Sequence, residues 1–347
     1  MTWPALDLPV RPPYPPTEAR LVDALPEGEG WVFEPKWDGF RCLAFRDGDA
    51  VALQSKAGQP LTRYFPEVAA AVGRIGAPRF VLDGEIVVPV GGRLSFDALL
   101  GRIHPSASRV GALAAETPAL FFVFDLLVDG DGRSLVDLPQ RQRRRRLEAL
   151  AERHLSEEGD VRLSPSTADR RMAETWFANT TGLGLDGVIA KRVEAPYASG
   201  ERTAMQKVKR MRTADCVVGG FRYSSRGKVV GSLLLGLHDR DRRLHHVGFT
   251  SAMPARERQP LTARLESMIE PPGFTGRAPG GPSRWSTQHS ADWKPVRPVL
   301  VCEVRYDHWS GDRFRHGTAF VRFRPDKAPE QCTFEQVRPA ARRRAAS

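Results

Sequence analysis

The sequence predicts an α+β chain built as two domains, and three observations lead there. Its 347 residues exceed the roughly 250–300 at which one hydrophobic core stops growing. From Trp31 onward, short alternating or apolar runs bounded by Gly, Asp or Pro read as strands, interleaved with stretches of helical spacing. After Arg212 the texture changes to strand-like runs with a single helix among them.

Taken in order, residues 1–17 carry six prolines and form a Pro-rich N-terminal arm, extended because proline fixes φ and donates no backbone hydrogen bond. A first domain is expected over 18–212. Its strands are Trp31–Lys36, Phe40–Arg46, Ala50–Gln54, Phe80–Val88, Ala119–Leu127 and Val188–Arg192, and its helices Phe65–Gly73, Phe96–Leu100, Leu138–Arg153 and Arg170–Thr180. The run Arg141-Gln142-Arg143-Arg144-Arg145-Arg146 suits nucleic-acid binding. It also precedes Leu147 and Leu150 at helical spacing, which suits a solvated helix face equally well. The second domain, 213–330, has strands at Cys216–Tyr223, Val229–His238, His245–Thr250, Leu300–Arg305 and Phe320–Arg324. A helix at Ala255–Ile269 and a Gly/Pro/Ser-rich loop at Pro271–Ser286 complete it. Five short strands and one helix suit a small barrel such as an OB-fold. A basic tail, 331–347, closes the chain.

Composition narrows the partners. Lysines and arginines outnumber acids by 52 to 41, a net charge of +11, which points to polyanions. No apolar run approaches the roughly 20 residues a membrane helix needs, and the N-terminus lacks the pattern of a secretory signal. The four cysteines, Cys42, Cys216, Cys302 and Cys332, lie too far apart for a C-x-x-C zinc or redox motif, so reduced buried thiols in a cytoplasmic protein are expected.

The segment Glu34-Pro35-Lys36-Trp37-Asp38-Gly39-Phe40-Arg41 sets a lysine at a strand end, before an Asp-Gly turn and near an arginine. Neighbouring positive charge favours the neutral amine, the form that acts as a nucleophile. By itself the pattern also describes a plain hairpin with exposed charges. In Val81-Leu82-Asp83-Gly84-Glu85-Ile86, two carboxylates share one strand face inside an apolar run. Buried acids need a metal or hydrogen-bond donors, and carboxylates suit Mg²⁺ or Mn²⁺ beside phosphates. Phe121-Phe122-Val123-Phe124-Asp125 offers rings that pack a core or stack on a base. Asp186 and Lys191 bracket another short strand, on opposite faces unless it twists or bulges. Lys207 and Lys209 share a strand face and suit a triphosphate clamp.

These segments stand in the order of the motifs of the covalent nucleotidyltransferases, the superfamily of DNA ligases, RNA ligases and capping enzymes. Ser55-Lys56-Ala57-Gly58 with Leu61-Thr62-Arg63-Tyr64-Phe65-Pro66-Glu67, and Arg322-Phe323-Arg324-Pro325-Asp326-Lys327 near the C-terminus, narrow the match. Over roughly residues 20–330 the chain resembles the short bacterial ATP-dependent DNA ligases. The resemblance implies a nucleotidyltransferase (adenylation) domain followed by a C-terminal OB-fold β-barrel domain. It implies that Lys36 attacks the α-phosphate of ATP, forms lysyl-AMP and releases pyrophosphate. AMP then passes to the 5′-phosphate of a nick, and the 3′-OH displaces it.

Carried over position by position, the resemblance implies that Arg41 and Glu85 bind the ribose, Glu34 lies near the adenine edge and Phe124 stacks on adenine. Lys191, Lys207 and Lys209 contact phosphates, and Lys56 lies near the nucleotide or the nick. Glu85 and Asp186 hold Mg²⁺ or Mn²⁺. Arg324, Asp326 and Lys327 orient the leaving pyrophosphate after a domain closure. Three positions depart from the family pattern: Asp186 for the commoner Glu, Met205 for a Trp, and Lys56 for an Arg, which gives up bidentate geometry.

The partners implied are nicked double-stranded DNA and, in trans, a repair polymerase or end-binding proteins. A monomer near the nucleoid, no membrane contact and a role in DNA repair are expected. An RNA ligase or a capping guanylyltransferase is the alternative on the same scaffold, to be told apart by the choice of ATP or GTP. A duplex gripped through surplus positive charge is released by salt. DNA affinity should therefore fall steeply as salt rises, and a flat log–log plot of affinity against salt in filter binding would contradict this.

Overall fold

The computed structural model describes residues 3–180, 184–225, 227–251, 253–280 and 292–338. Part of the expected Pro271–Ser286 loop and all but Arg338 of the Arg338–Ser347 stretch of the basic tail lie outside the described residues. The chain forms two compact units, Met1–Arg210 and Met211–Ser347.

The first unit contains strands β1 (Ala19–Val22), β2 (Trp31–Trp37), β3 (Phe40–Asp47), β4 (Ala50–Ser55), β5 (Arg79–Val87), β6 (Pro89–Val90), β7 (Arg93–Leu94), β8 (Leu120–Val128), β9 (Val161–Leu163), β10 (Leu185–Arg192) and β11 (Met205–Lys209). Its helices are α1 (Pro66–Gly73), α2 (Phe96–Gly101), α3 (Ala107–Glu116), α4 (Gln140–His154) and α5 (Arg170–Ala178). Two sheets dominate, with strand orders β1-β11-β10-β2 and β4-β3-β5-β8-β9. The strand and helix expectations hold to within a few residues. The sequence reading missed α3, β1, β9 and the short β6–β7 pair.

Alternation divides the five-stranded sheet into two faces. Cys42, Ala44, Phe80 and Leu82 join Val68 and Val72 of α1 and Leu147 of α4 in one core. Leu43, Phe45 and Val81 point the other way and pack with Leu6, Leu8, Val10 and Tyr197. The Pro-rich arm is therefore a packed strap across this second face. Toward the strand ends, the same alternation brings Arg41, Asp83 and Glu85 to the strap side.

The four-stranded sheet is pinched at one point. Pairing of β10 with β2 slips between Leu185 and Gly187, a bulge that leaves Asp186 outside the regular alternation. Gly187 has φ +152°, and a Cβ there would lie 2.0 Å from the Val208 carbonyl oxygen on β11. A Cβ on Gly39 would likewise lie 2.2 Å from the Ile86 carbonyl oxygen, so the β2–β3 turn presses directly on β5.

The second unit contains β12 (Arg212–Ser224), β13 (Gly227–His238), β14 (Leu244–Thr250), α6 (Ala255–Glu266), β15 (Lys294–Tyr306), β16 (Trp309–Ser310), β17 (Arg313–Phe314) and β18 (Ala319–Phe323). Its main sheet runs β14-β13-β12-β15-β18, every neighbour antiparallel, around a core that includes Phe221, Leu233, Leu235, Leu265 and Val304. The expected closed OB-type barrel is corrected here. Among the described residues edge strands β14 and β18 share no ladder. The β14 edge meets Thr318, just before β18, through the Thr250–Thr318 bridge, where the Thr250 hydroxyl donates to the Thr318 carbonyl at 2.9 Å. The Thr318 amide and hydroxyl also donate to the Phe249 carbonyl, at 3.1 and 3.2 Å. The four cysteines are free and buried.

Because Gly187 combines a backbone conformation hostile to side chains with a backbone neighbour that cannot rotate away, Gly187→Ala should cost roughly 3 kcal/mol or more. Urea unfolding followed by circular dichroism measures this, and an unchanged midpoint would show that the pinch tolerates a side chain.

Candidate active site

Strand register builds the site. Lys36 on β2 pairs with Gly187 on β10, which pairs with Lys209 on β11; two residues along, Glu34 pairs with Ile189, which pairs with Lys207. Glu34 and Lys36 thus rise from one face at one edge, while Lys207 and Lys209 stand two strands away, about 10 Å at ordinary strand spacing.

The bulge turns Asp186 toward these lysines. Its Oδ2 lies 2.6 Å from the Lys36 amine and 2.9 Å from the Lys209 amine. Burial works to raise the Asp186 carboxyl pKa, and the two lysines outweigh it, holding the group below the usual carboxylate range. Lys191 lies diagonally across from Glu34, with its amine 2.8 Å from Glu34 Oε2, and it also donates to the Phe124 carbonyl at 3.1 Å. Asp186 and Lys191 therefore both serve the same site. Glu34 is almost fully buried; burial raises its pKa against the pull of Lys191 and Arg144.

The second sheet supplies the opposite wall. Arg41 on β3 faces Glu85 on β5 and donates twice to Asp83, from Nε at 2.5 Å and Nη2 at 2.6 Å. Asp83 is fully buried and takes a further hydrogen bond from the Tyr197 hydroxyl at 2.6 Å. The sequence reading had Asp83 and Glu85 on one face with a metal or donors to satisfy them. In the structure donors satisfy Asp83, while Glu85 faces the cavity. Across the ladder from Asp83 sits Asp125, itself clamped by Arg143 at 2.8 and 3.0 Å. Trp37 stacks on Phe122 at 3.9 Å, within 8° of parallel, tying one sheet to the other.

A cavity opens between the two sheets. It is lined by Glu34, Lys36, Trp37, Arg41, Glu85, Phe124, Ile189, Lys191, Met205 and Lys207, by Lys56 after β4, and by Pro16, Thr17, Glu18 and Ala19 at the end of the strap. Of the residues assigned to catalysis and nucleotide binding from sequence, all but Lys209 line it, and Lys209 reaches it through Asp186. Phe124 is buried, with Arg41 and Lys191 each 4.6 Å from its ring centroid. Lys56 is exposed and pairs with Glu18 at 3.2 Å.

Five cations and three carboxylates line the cavity. Lys207 makes no ion pair within 4 Å among the described residues. Burial, then Lys209, Lys36, Lys56 and Arg202, push its pKa down. Glu85, half-buried, is pushed up to about 7 by burial, against Lys36 and Arg41. The cavity therefore offers an anion site backed by an under-neutralised lysine.

The C-terminal trio lies in the second unit. Arg324 pairs with Asp326 at 2.8 Å and with Asp215 at 3.1 Å, and Lys327 pairs with Asp215 at 2.6 Å. Asp215 was missed from sequence, as were Tyr197, Glu18 and the strap. Each acts through partners far away in the chain, and no local spacing announces them.

Comparison with known proteins agrees with this arrangement. Residues 18–209 match the model described as ATP dependent DNA ligase domain, and 226–327 match ATP dependent DNA ligase C terminal region. The chain is 46% identical over 342 residues to DNA ligase C1 of Mycolicibacterium smegmatis, covering 96% of each protein. It is 41% identical over 346 residues to DNA ligase C of Mycobacterium tuberculosis, again with 96% of each covered. A solved Lig E DNA ligase shares the fold with a TM-score of 0.53 and 16% identity, over 89% of this chain and 99% of that one.

The Asp125–Arg143 pair beneath the cavity gives a stability test. Arg143→Met strands a buried carboxylate and should cost about 3–5 kcal/mol, most of it restored in Arg143→Met/Asp125→Leu. Urea titration of both variants checks it, and a double variant no more stable than the single would refute it.

Proposed function

The chain belongs to the ATP-dependent DNA ligases, and from that membership and the cavity's geometry we propose how its residues divide the work. The observation that carries the reading is Lys36: its amine stands on the cavity wall, fixed by Asp186 at 2.6 Å, facing a surplus of positive charge.

ATP enters with its base stacked on Phe124, and Glu34 lies at the base edge. Arg41 and Glu85 take the ribose. Lys191, Lys207 and Lys209 draw the phosphates toward Lys36, with Lys56 near the nucleotide or the nick. The unprotonated Lys36 amine attacks the α-phosphorus; the N–P bond forms as the bond to pyrophosphate breaks, and the nitrogen loses its proton. The adenylate then passes to the 5′-phosphate of a DNA nick, freeing Lys36. The 3′-hydroxyl next attacks that 5′-phosphorus, AMP departs and the strand is sealed. Each transfer gathers negative charge around phosphorus, which fixed cations stabilise. Arg324, Asp326 and Lys327 act on the leaving pyrophosphate.

The donor set accommodates a divalent cation. Glu85 faces the cavity without an ion pair within 4 Å among the described residues, and Asp186 stands beside Lys36. No three-ligand His/Cys/Asp/Glu cluster occurs among the described residues. Mg²⁺ needs only one or two carboxylates when phosphates and waters complete its shell. Glu85 and Asp186 would hold Mg²⁺ or Mn²⁺, which supplies neutralisation of phosphate charge. No helix among the described residues is long and apolar enough to cross a membrane. We place the enzyme in DNA repair as a monomer near the nucleoid, with polymerase or end-binding partners acting in trans.

Incubation with α-labelled ATP and a divalent metal, followed by nicked duplex without free nucleotide, tests the reading. Label should stay on the protein through denaturation, leave on addition of the nick, and yield a longer strand. Lys36→Ala should abolish labelling by at least about 10³-fold. A Lys36→Ala protein that still takes label would sink the assignment.

A further inference from the structure

The Arg41 guanidinium is held from behind. Both of its bonds go to Asp83, and the Asp83 Oδ2 that takes Nη2 at 2.6 Å also takes the Tyr197 hydroxyl at 2.6 Å. Asp83 is fully buried and Tyr197 nearly so, so water cannot replace the phenol as a donor. Asp83 also sits opposite a second buried acid, Asp125. Two carboxylates at one level of a ladder repel unless each is fully bonded. Arg143 satisfies Asp125; Arg41 and Tyr197 together satisfy Asp83.

Tyr197 is itself locked. Its ring stacks on Tyr14 of the strap with centroids 6.3 Å apart, lies under the Arg143 guanidinium at 5.6 Å and packs with Leu6, Leu8 and Val10. The strap is pinned in turn. Gln54 accepts from the Tyr14 amide at 2.8 Å and donates to the Tyr14 carbonyl at 2.7 Å, and Ser199 donates to the Pro15 carbonyl at 2.6 Å. From Tyr14, one further residue of strap, Pro15, leads to Pro16 and Thr17 on the cavity wall.

We propose that Tyr197, seated by the N-terminal strap, is a positioning residue for nucleotide binding: through Asp83 it fixes the orientation in which Arg41 meets the nucleotide. This rests on the reading of Arg41 as a nucleotide contact. A free Arg41 would have many rotamers to lose on binding ATP; the Tyr197–Asp83 anchor removes that cost beforehand. The contribution falls on affinity, because Arg41 holds the nucleotide and makes none of the bonds that change.

Tyr197→Phe deletes the donor and keeps the ring, so the packing with the strap survives. In the self-adenylylation assay with labelled ATP, KM for ATP should rise roughly 10-fold, the loss expected for a hydrogen bond to a charged group, with kcat within about threefold and the melting temperature within a few degrees. Asp83→Asn should raise KM further. On that background Tyr197→Phe should add little, because its route to Arg41 is already cut. Unchanged KM in Tyr197→Phe would overturn the proposal, whatever the melting temperature does. So would fully multiplicative effects in the double variant, since Tyr197 would then act by another route. Wild-type protein runs beside the variants. An unlabelled wild type defeats the nucleotide reading itself, whereas a labelled wild type matched by Tyr197→Phe defeats only this inference.

Discussion

The cavity depends on one constraint: acids buried beneath it must each have a cation, or the strands that carry them cannot stay folded. Asp83, Asp125, Glu34 and Asp186 are all buried. Stranding any one would cost several kcal/mol. Arg41 takes the first, Arg143 the second and Lys191 the third, while Lys36 and Lys209 share the last. The pairing neutralises the floor and leaves Lys207 over. Neutralisation below and surplus above make an anion site out of what would otherwise be a plain sheet interface.

Much of this was legible in the sequence, for a physical reason. Strand alternation and turn chemistry are local, so β2, β3, β5, β8 and β10 fall within a few residues of expectation, and the charges they carry lie where pairing brings them together. The bulge at Asp186 was legible only as a condition. Asp186 and Lys191 are five residues apart and must diverge on a regular strand, yet both reach the site because pairing slips at Gly187. What stayed hidden was non-local. Tyr197 meets Asp83 across 114 positions, and Leu6, Leu8 and Val10 sit among prolines that mask their burial. α3 carries only one buried residue, Val110, so few of its positions read as core. The barrel expectation failed at closure. The five strands of the main sheet were expected, but β12 and β15 run well past their expected bounds. Among the described residues the sheet edges meet through Phe249, Thr250 and Thr318 without forming a ladder.

The C-terminal trio shows the same economy. Resemblance sends Arg324 and Lys327 to a phosphate, yet within the second unit both spend their charge on Asp215. All three guanidinium nitrogens of Arg324 hold carboxylates, with Nε and Nη2 on Asp326 and Nη1 on Asp215. Asp215 is thereby shared by two cations, Arg324 and Lys327.

The same logic explains why Asp186 needs two lysines. In the proposed first step the Lys36 amine must leave its carboxylate for the α-phosphate. Were Lys36 the sole partner, its departure would strand a buried anion, and the cost of doing so would stand in the reaction barrier. Lys209 binds the same oxygen at 2.9 Å, so Asp186 stays paired while Lys36 moves. The pinch at Gly187 makes this sharing possible, because only the slipped register turns Asp186 toward strands on both sides. A backbone irregularity with a steric origin thus lets the half-buried Lys36 amine change partners at small electrostatic cost.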